Sequence, residues 1–136
     1  MKMKNLSIII FILAATVLFS EAGDTTLRSL WASPSYSVKP VPDLWRPKKF
    51  PSTVRDVEAF KNFDLKSNGI SITNFVSHYG IPDRYLINHR KDGQNFLIYD
   101  LPSGYNVALY VHKPPYDTFA AIVIIDSAGD LVRLIK

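Results

Sequence analysis

Five short runs between residues 84 and 135 are rich in β-branched and aromatic residues, and they predict five β-strands. The runs span residues 84–89, 95–101, 105–112, 119–126 and 131–135. The segments between them have at most six residues, and each contains glycine or proline, as hairpin connections do. Since no connection is long enough for a parallel crossover, the runs predict an antiparallel meander.

Polar and apolar residues alternate along residues 105–112, so this strand should have two different faces. One face would carry Tyr105, Val107, Leu109 and Val111, and the other Asn106, Ala108, Tyr110 and His112. Residues 120–125 are apolar throughout, which is typical of a central strand that is covered on both faces.

A short amphipathic helix is predicted immediately before the first of these strands. Ser71 is a good N-cap, Gly80 suits the left-handed position after a helix, and Pro82 prevents continuation. Between them, apolar residues recur at helical spacing at Ile72, Phe75, Val76 and Tyr79. Such a short helix needs packing for its stability, so its apolar side should lie on the sheet.

An earlier helix is predicted over residues 53–63, because Thr53 and Asp56 have the spacing of a capping box. Val54, Val57 and Phe60 would share one side of it. The predicted fold is therefore a two-layer α+β domain, in which one or two short helices pack on a four- to five-stranded antiparallel meander sheet.

Residues 23–51 have a different character, since prolines recur at Pro34, Pro40, Pro42, Pro47 and Pro51. Proline lacks an amide donor and fixes φ, so we expect neither a helix nor a sheet interior here. One interpretation is an extended, partly disordered arm. The other is an arm that docks through its aromatic residues, Trp31, Tyr36, Trp45 and Phe50, and we expect part of it to pack on the domain.

The first 22 residues have the anatomy of a secretory signal peptide. Lys2 and Lys4 precede 14 residues, 6–19, that are almost entirely apolar, and small residues at 20 and 22 predict cleavage after Ala22. A membrane span needs about 20 apolar residues, so retention as an anchor is the weaker alternative. The predicted organisation is a signal peptide at 1–22, a Pro/aromatic arm at 23–51 and a globular domain at 52–136. The product would be periplasmic or secreted.

Composition narrows the classes of partner. Residues 23–136 contain 14 basic and 11 acidic residues, for a net charge of +3, and the two signs are mixed along the chain. Nucleic acid is therefore not an expected partner, because its binding needs a continuous basic surface. The chain has no cysteine, so it must fold without disulfides and cannot carry the acyl anchor of a lipoprotein.

The run Asn68-Gly-Ile-Ser-Ile-Thr-Asn-Phe-Val-Ser-His-Tyr-Gly-Ile-Pro-Asp83 resembles the signature of the small periplasmic BamE/SmpA/OmlA-like family. Ile70 and Ser71 match its Met-Thr helix start, and the Gly-x-Pro-Asp that ends at Asp83 matches its helix exit. Residues 124–132 are similar to the family's closing hairpin. The resemblance implies a helix-plus-antiparallel-sheet fold, shared with β-lactamase-inhibitory proteins, and a non-enzymatic role as an assembly accessory or a small inhibitory binder.

Motifs for catalysis or metal binding are missing from the sequence. The three histidines, His78, His89 and His112, lack the spacing of a metal site, so neither a metal nor another cofactor is expected. There is no Gly-x-Ser-x-Gly elbow and no phosphate-binding loop. The carboxylates lie mostly at turns, where backbone capping explains them. A small secreted hydrolase or enzyme inhibitor without a recognisable motif is the alternative function.

Tyrosine is the remaining signal, since six of the seven tyrosines lie in the second half of the chain with arginines nearby. Tyrosine is common in half-buried strands and is also enriched, with arginine, at binding surfaces, so both interpretations stay open. The candidate binding residues are Arg84, Arg90, Tyr99, Tyr110, His112, Trp31 and Trp45. The expected function is non-catalytic binding to a protein or cell-envelope component, in an oligomeric state that the sequence does not indicate.

Overall fold

The computed structural model describes residues 27–46 and 56–136. The chain divides into two compact units between Ser33 and Pro34. The described part of the first unit contains helix α1 (Leu27–Trp31). None of the described helices has the length and apolar character that a membrane crossing requires. The predicted signal peptide and its cleavage site lie outside the described residues.

The second unit is built on one six-stranded antiparallel sheet in which every strand pairs with its neighbours in sequence. The strands are β1 (Tyr36–Lys39), β2 (Arg84–Asn88), β3 (Asn95–Asp100), β4 (Asn106–Val111), β5 (Phe119–Ile125) and β6 (Leu131–Ile135). The predicted α+β class and the meander are confirmed, but the sheet has six strands rather than four to five.

Strand β1 is the additional strand, and it lies in the proline-rich segment. It pairs with β2 from Tyr36 opposite Asn88 to Lys39 opposite Tyr85. Proline is excluded from sheet interiors, but these four residues contain none and lie at the sheet edge. The expectation that this segment has no helix was also wrong at α1, which ends before the first proline, Pro34.

Helix α4 (Ile72–Tyr79) forms as predicted, after the short helices α2 (Val57–Lys61) and α3 (Leu65–Asn68). The side chain of Ser71 caps α4 by accepting a hydrogen bond from the Asn74 amide at 3.1 Å. Gly80 follows at φ +98°, in the left-handed region that glycine tolerates best. Helix α2 starts later than predicted because Asp56 is extended and acts as its cap. Helix α3 was not predicted, and Thr53 lies outside the described residues.

Helices α2 to α4 and one face of the sheet enclose a continuous aromatic core. The Phe60 ring stacks on Tyr79 at a centroid distance of 4.2 Å, and Phe75 lies 5.9 Å from Tyr99 of β3 and 5.7 Å from Phe119 of β5. The Tyr79 hydroxyl donates to the carbonyl of Ala59 at 2.9 Å, which ties α4 to α2. Burial of these rings accounts for the stability of such short helices.

The opposite face of the sheet is also apolar. Its buried side chains include Leu86, Phe96, Ile98, Ala108 and Val123, none of which belongs to the core beneath the helices. Residues 121–125 of β5 are all buried and Ala120 is exposed, so this strand is covered on both faces over most of the predicted run.

Candidate functional site

The candidate residues Tyr99 and Tyr110 lie on opposite faces of the sheet. Tyr99 faces the helices, is fully buried, and donates a hydrogen bond to the Gly80 carbonyl at 2.6 Å. It therefore belongs to the core and fixes the end of α4, rather than lining an accessible surface. Periodicity did not assign Tyr99 to a face, because its strand is apolar on both faces.

Tyr110 and His112 lie together on the other face, as the alternation predicted. Their ring centroids are 6.5 Å apart, and Tyr110 also lies 5.9 Å from Phe96. Phe96 is in turn 6.3 Å from Tyr36, so four rings follow one another across the sheet from β4 to β1. Burial raises the pKa of Tyr110 and of Tyr36. His112 is the exposed end of this row.

The two candidate arginines have different environments. The Arg84 guanidinium binds both carboxylate oxygens of Asp100, at 2.8 and 3.0 Å. The same carboxylate accepts a hydrogen bond from the Asn106 side chain at 2.7 Å. Arg84 thus holds strands together at the sheet end. Arg90 is exposed in the β2–β3 turn, where a partner can reach it.

Both candidate tryptophans are buried. Trp31, in the first unit, has 5% of its surface exposed. Trp45 ends the 3₁₀ helix (Asp43–Trp45), is fully buried, and packs edge-on against Tyr85 at 5.2 Å. Its indole nitrogen donates a hydrogen bond to the carbonyl of Tyr116 at 3.0 Å. Trp45 therefore acts in the core by supporting the loop of residues 113–118, and its ring is not available to a partner.

Three exposed apolar residues lie in this loop or in segments that are hydrogen-bonded to it or next to it, and the sequence did not predict them as a surface. Tyr116 is 66% exposed, Ile70 46% and Leu44 44%, although each adjoins a buried or hydrogen-bonded segment. We call these three side chains the Tyr116 surface. These three residues come from separate parts of the chain. Hydrogen bonds join those parts, and they involve backbone atoms of the three residues or of their neighbours.

Asp117 is the centre of these contacts. Its carboxylate accepts hydrogen bonds from the Ser71 hydroxyl at 2.9 Å, the Thr73 amide at 2.8 Å and the Thr73 hydroxyl at 2.9 Å. Its carbonyl accepts from the Ile72 amide at 3.1 Å. A carboxylate satisfies the free amides at a helix start and complements the helix dipole, so these bonds fix the loop to the start of α4.

Backbone hydrogen bonds also hold the chain on both sides of Asp117. The Phe119 amide donates to the Ile70 carbonyl at 3.0 Å, and the His112 amide donates to the Thr118 carbonyl at 3.0 Å. The His112 ring nitrogen Nδ1 lies 2.7 Å from the Thr118 hydroxyl. The Thr73 hydroxyl also lies within 3.4 Å of the Leu44 carbonyl. The backbone beneath the Tyr116 surface is thus fixed, although the side chains above it are exposed.

Chemically, this arrangement favours binding over catalysis. The Asp117 carboxylate is engaged by three donors, so it is poorly placed to accept a substrate proton. The exposed apolar side chains offer contact area, and the fixed backbone lowers the entropy lost on association.

Leu44, Ile70 and Asp117 were not among the candidate residues predicted from the sequence. Asp117 has the composition signal of a turn, and Ile70 was matched only to the start of a family motif. Asp117 hydrogen-bonds to Ser71 and Thr73, which precede it by 46 and 44 positions. No local sequence pattern indicates so distant a pairing. Tyr116 is one of the six tyrosines in the second half of the chain, but it was not among the seven candidate binding residues.

One other contact brings a nucleophile to a base. The Ser37 hydroxyl hydrogen-bonds to Nε2 of His89, at the edge of the sheet. Among residues 27–46 and 56–136, no carboxylate contacts His89, so nothing in that part orients its imidazole as a catalytic dyad would need. Within the same ranges, no group of three or more His, Asp or Glu side chains is arranged to hold a metal ion.

Comparison with known proteins yields no match to a family model, a curated protein or a solved structure. The resemblance to the BamE/SmpA/OmlA-like family thus rests on residues 68–83 and 124–132 of this sequence.

Proposed function

We propose that this protein is an exported, non-catalytic binding module of the bacterial cell envelope that recognises a protein partner through the Tyr116 surface. The signal-peptide pattern of residues 1–22 supports export, with the product in the periplasm or the medium. The resemblance to the BamE/SmpA/OmlA-like family supports an accessory or inhibitory role.

The observation that carries this proposal is the contrast between exposed side chains and a fixed backbone. Tyr116 is the most exposed of the large apolar residues described, yet hydrogen bonds hold its carbonyl and the residue that follows it. Exposed apolar side chains on hydrogen-bonded neighbouring segments are the kind of surface that protein interfaces use. Tyrosine suits such a place because it buries a large rigid area and keeps a polar end.

Mixed charges near the Tyr116 surface favour a protein over a lipid surface as its partner. Asp43 and Arg46, which flank Leu44 and Trp45, lie 3.7 Å apart and have opposite charges. Lys113 is exposed in the loop of residues 113–118, which carries Tyr116. An anionic lipid surface would favour a cluster of cations, whereas alternating signs are usual around protein interfaces.

Site-specific photocrosslinking in the native host tests this function. A photoreactive phenylalanine analogue replaces Tyr116, and a matched variant carries it at Ser103, in the exposed β3–β4 turn. We expect a discrete crosslinked protein from position 116 and none from position 103. Equal crosslinking from both positions, or none from 116, would refute the proposed surface.

Export has a separate readout. N-terminal sequencing of the protein from the periplasm or the medium should begin at Gly23. A chain that retains Met1 would contradict both the location and the cleavage site.

A hydrolase is the second candidate, and the Ser37–His89 pair is the observation that favours it. Turnover of simple activated esters that is lost in both Ser37→Ala and His89→Gln would support this alternative. Ester turnover that survives both substitutions, or no turnover by the parent protein, would reject it.

A further inference from the structure

The two edges of the sheet differ in how they are protected. Strand β1 has only four residues, and Pro34 and Pro40 lie on either side of it. Prolines block extension of a strand ladder because they supply no amide hydrogen. At the opposite edge, β6 (Leu131–Ile135) contains no proline, and β5 is its one pairing partner among residues 27–46 and 56–136.

Apolar side chains are exposed along β6. Leu131 is 52% exposed and Val132 is 40% exposed, so two of the exposed large apolar residues lie on this one edge strand. The pairing with β5 shifts between Ile124 and Ile125, which makes Val132 the extra residue of a bulge. From Arg133 to Ile135 the pairing is regular, so this part of the edge is straight enough to accept another strand.

The charge on this edge indicates what kind of strand it fits. Arg133 is exposed in the strand and Lys136 follows it, and residues 131–136 contain no acidic side chain. Neither cation forms an ion pair with the described residues. Antiparallel pairing with a second copy of β6 would bring these like charges together, which is destabilising across a ladder.

We propose that the outer edge of β6 is a strand-addition site for an extended segment of another protein in which carboxylates alternate with apolar residues. Backbone hydrogen bonds to the open edge would supply most of the affinity. A carboxylate opposite Arg133 would set the register, and Lys136, beyond the end of the strand, would add to the positive charge there. Apolar side chains of the segment would cover Leu131 and Val132. This site is separate from the Tyr116 surface and does not depend on it.

The test uses the ¹⁵N-labelled protein as isolated from the cell and a synthetic ten-residue peptide of alternating glutamate and valine. The peptide should bind, and it should slow hydrogen exchange of β6 amides that point away from β5. No binding at millimolar peptide, or binding that leaves β6 exchange unchanged, would overturn the proposal. A dimer with protected β6 amides in the absence of peptide would also overturn it, because the occupant would then be a second copy.

Charge reversal separates this site from general electrostatic attraction. The double variant Arg133→Glu/Lys136→Glu should bind the glutamate peptide about tenfold more weakly and should gain binding to the matching lysine–valine peptide. The control Lys66→Glu/Lys91→Glu has the same net charge, but its changes are at exposed positions of α3 and the β2–β3 turn, outside β6. Equal effects of the two double variants would show that net charge alone explains binding, and the proposal would fail.

Discussion

The indole of Trp45 donates a hydrogen bond to the carbonyl of Tyr116, and the two residues are 71 positions apart in the sequence. Trp45 is fully buried, whereas the side chain of Tyr116 is two-thirds exposed. One bond thus connects the interior of the domain to the backbone of its most exposed tyrosine. The backbone beneath the Tyr116 surface therefore depends on a residue that is itself buried.

Substitution of Trp45 by phenylalanine should loosen the loop of residues 113–118. The change removes the indole donor and leaves unfilled volume, so we expect a loss of about 1–3 kcal/mol in the free energy of unfolding. Urea denaturation measures that loss, and hydrogen exchange measures the loop. The control Val41→Ala removes buried volume without this bond. Loop exchange that rises equally in both variants would contradict the role of the hydrogen bond.

The aromatic core predicts a large effect at Phe75 of α4. Phe75→Ala removes a fully buried ring and should lower the free energy of unfolding by about 3–5 kcal/mol. Gly80→Val should also destabilise, because a β-branched residue is strained at φ +98°. Melting temperatures of both variants check this, with the exposed-turn substitution Lys91→Ala as a control. Unchanged melting of both variants would be incompatible with this helix packing.

Asp117 should matter for stability through its three side-chain bonds. Asp117→Asn places an NH₂ group against donors of Ser71 and Thr73, so we expect a loss of about 1–3 kcal/mol in urea denaturation. The matched control Asp92→Asn lies in an exposed turn and should change stability by less than about 0.5 kcal/mol. Equal stability of the two variants would show that the loop is not held by this carboxylate.

Buried tyrosines should make the fold sensitive to alkaline pH. Burial raises the pKa of four tyrosines, Tyr36, Tyr79, Tyr85 and Tyr110. The native state then keeps these protons at a pH where the unfolded chain releases them. Stability is therefore complete below the unfolded pKa of about 10 and falls as pH rises above it.

Unfolding titrations between pH 8 and 12 measure this decline. Tyr110→Phe removes one of the four groups, so its stability should fall less steeply above pH 10 than that of the parent protein. A parallel or steeper decline in the variant would contradict the assignment for Tyr110.

Local signals explain which elements the sequence predicted. Helix α4 combines a capping serine, apolar residues at helical spacing and a glycine at its end, all within ten residues. The five predicted strands are separated by short turns, so their pairing follows from chain order. Strand β1 was not predicted, because prolines flank it and its partner β2 lies almost fifty residues later.

The candidate surface was harder to predict because its contacts join distant segments. Alternation placed Tyr110 and His112 together correctly, since Leu109 and Val111, which alternate with them, belong to the core beneath the helices. Nothing near Trp45 indicates that its indole binds residue 116, and nothing near Asp117 indicates that it caps α4. Such pairs depend on how the layers assemble, which periodicity does not encode.

The position of Trp45 has a consequence for how the chain is synthesised. A ribosome makes Trp45 before any residue of β2 and long before the loop that accepts its hydrogen bond. At about 5–20 residues per second, Tyr116 follows several seconds later. The indole has no Tyr85 ring to contact until residue 85 is made, and no Tyr116 carbonyl until residue 116 is made. The nascent chain thus carries an unsatisfied aromatic segment, which a chaperone can bind until the later strands emerge.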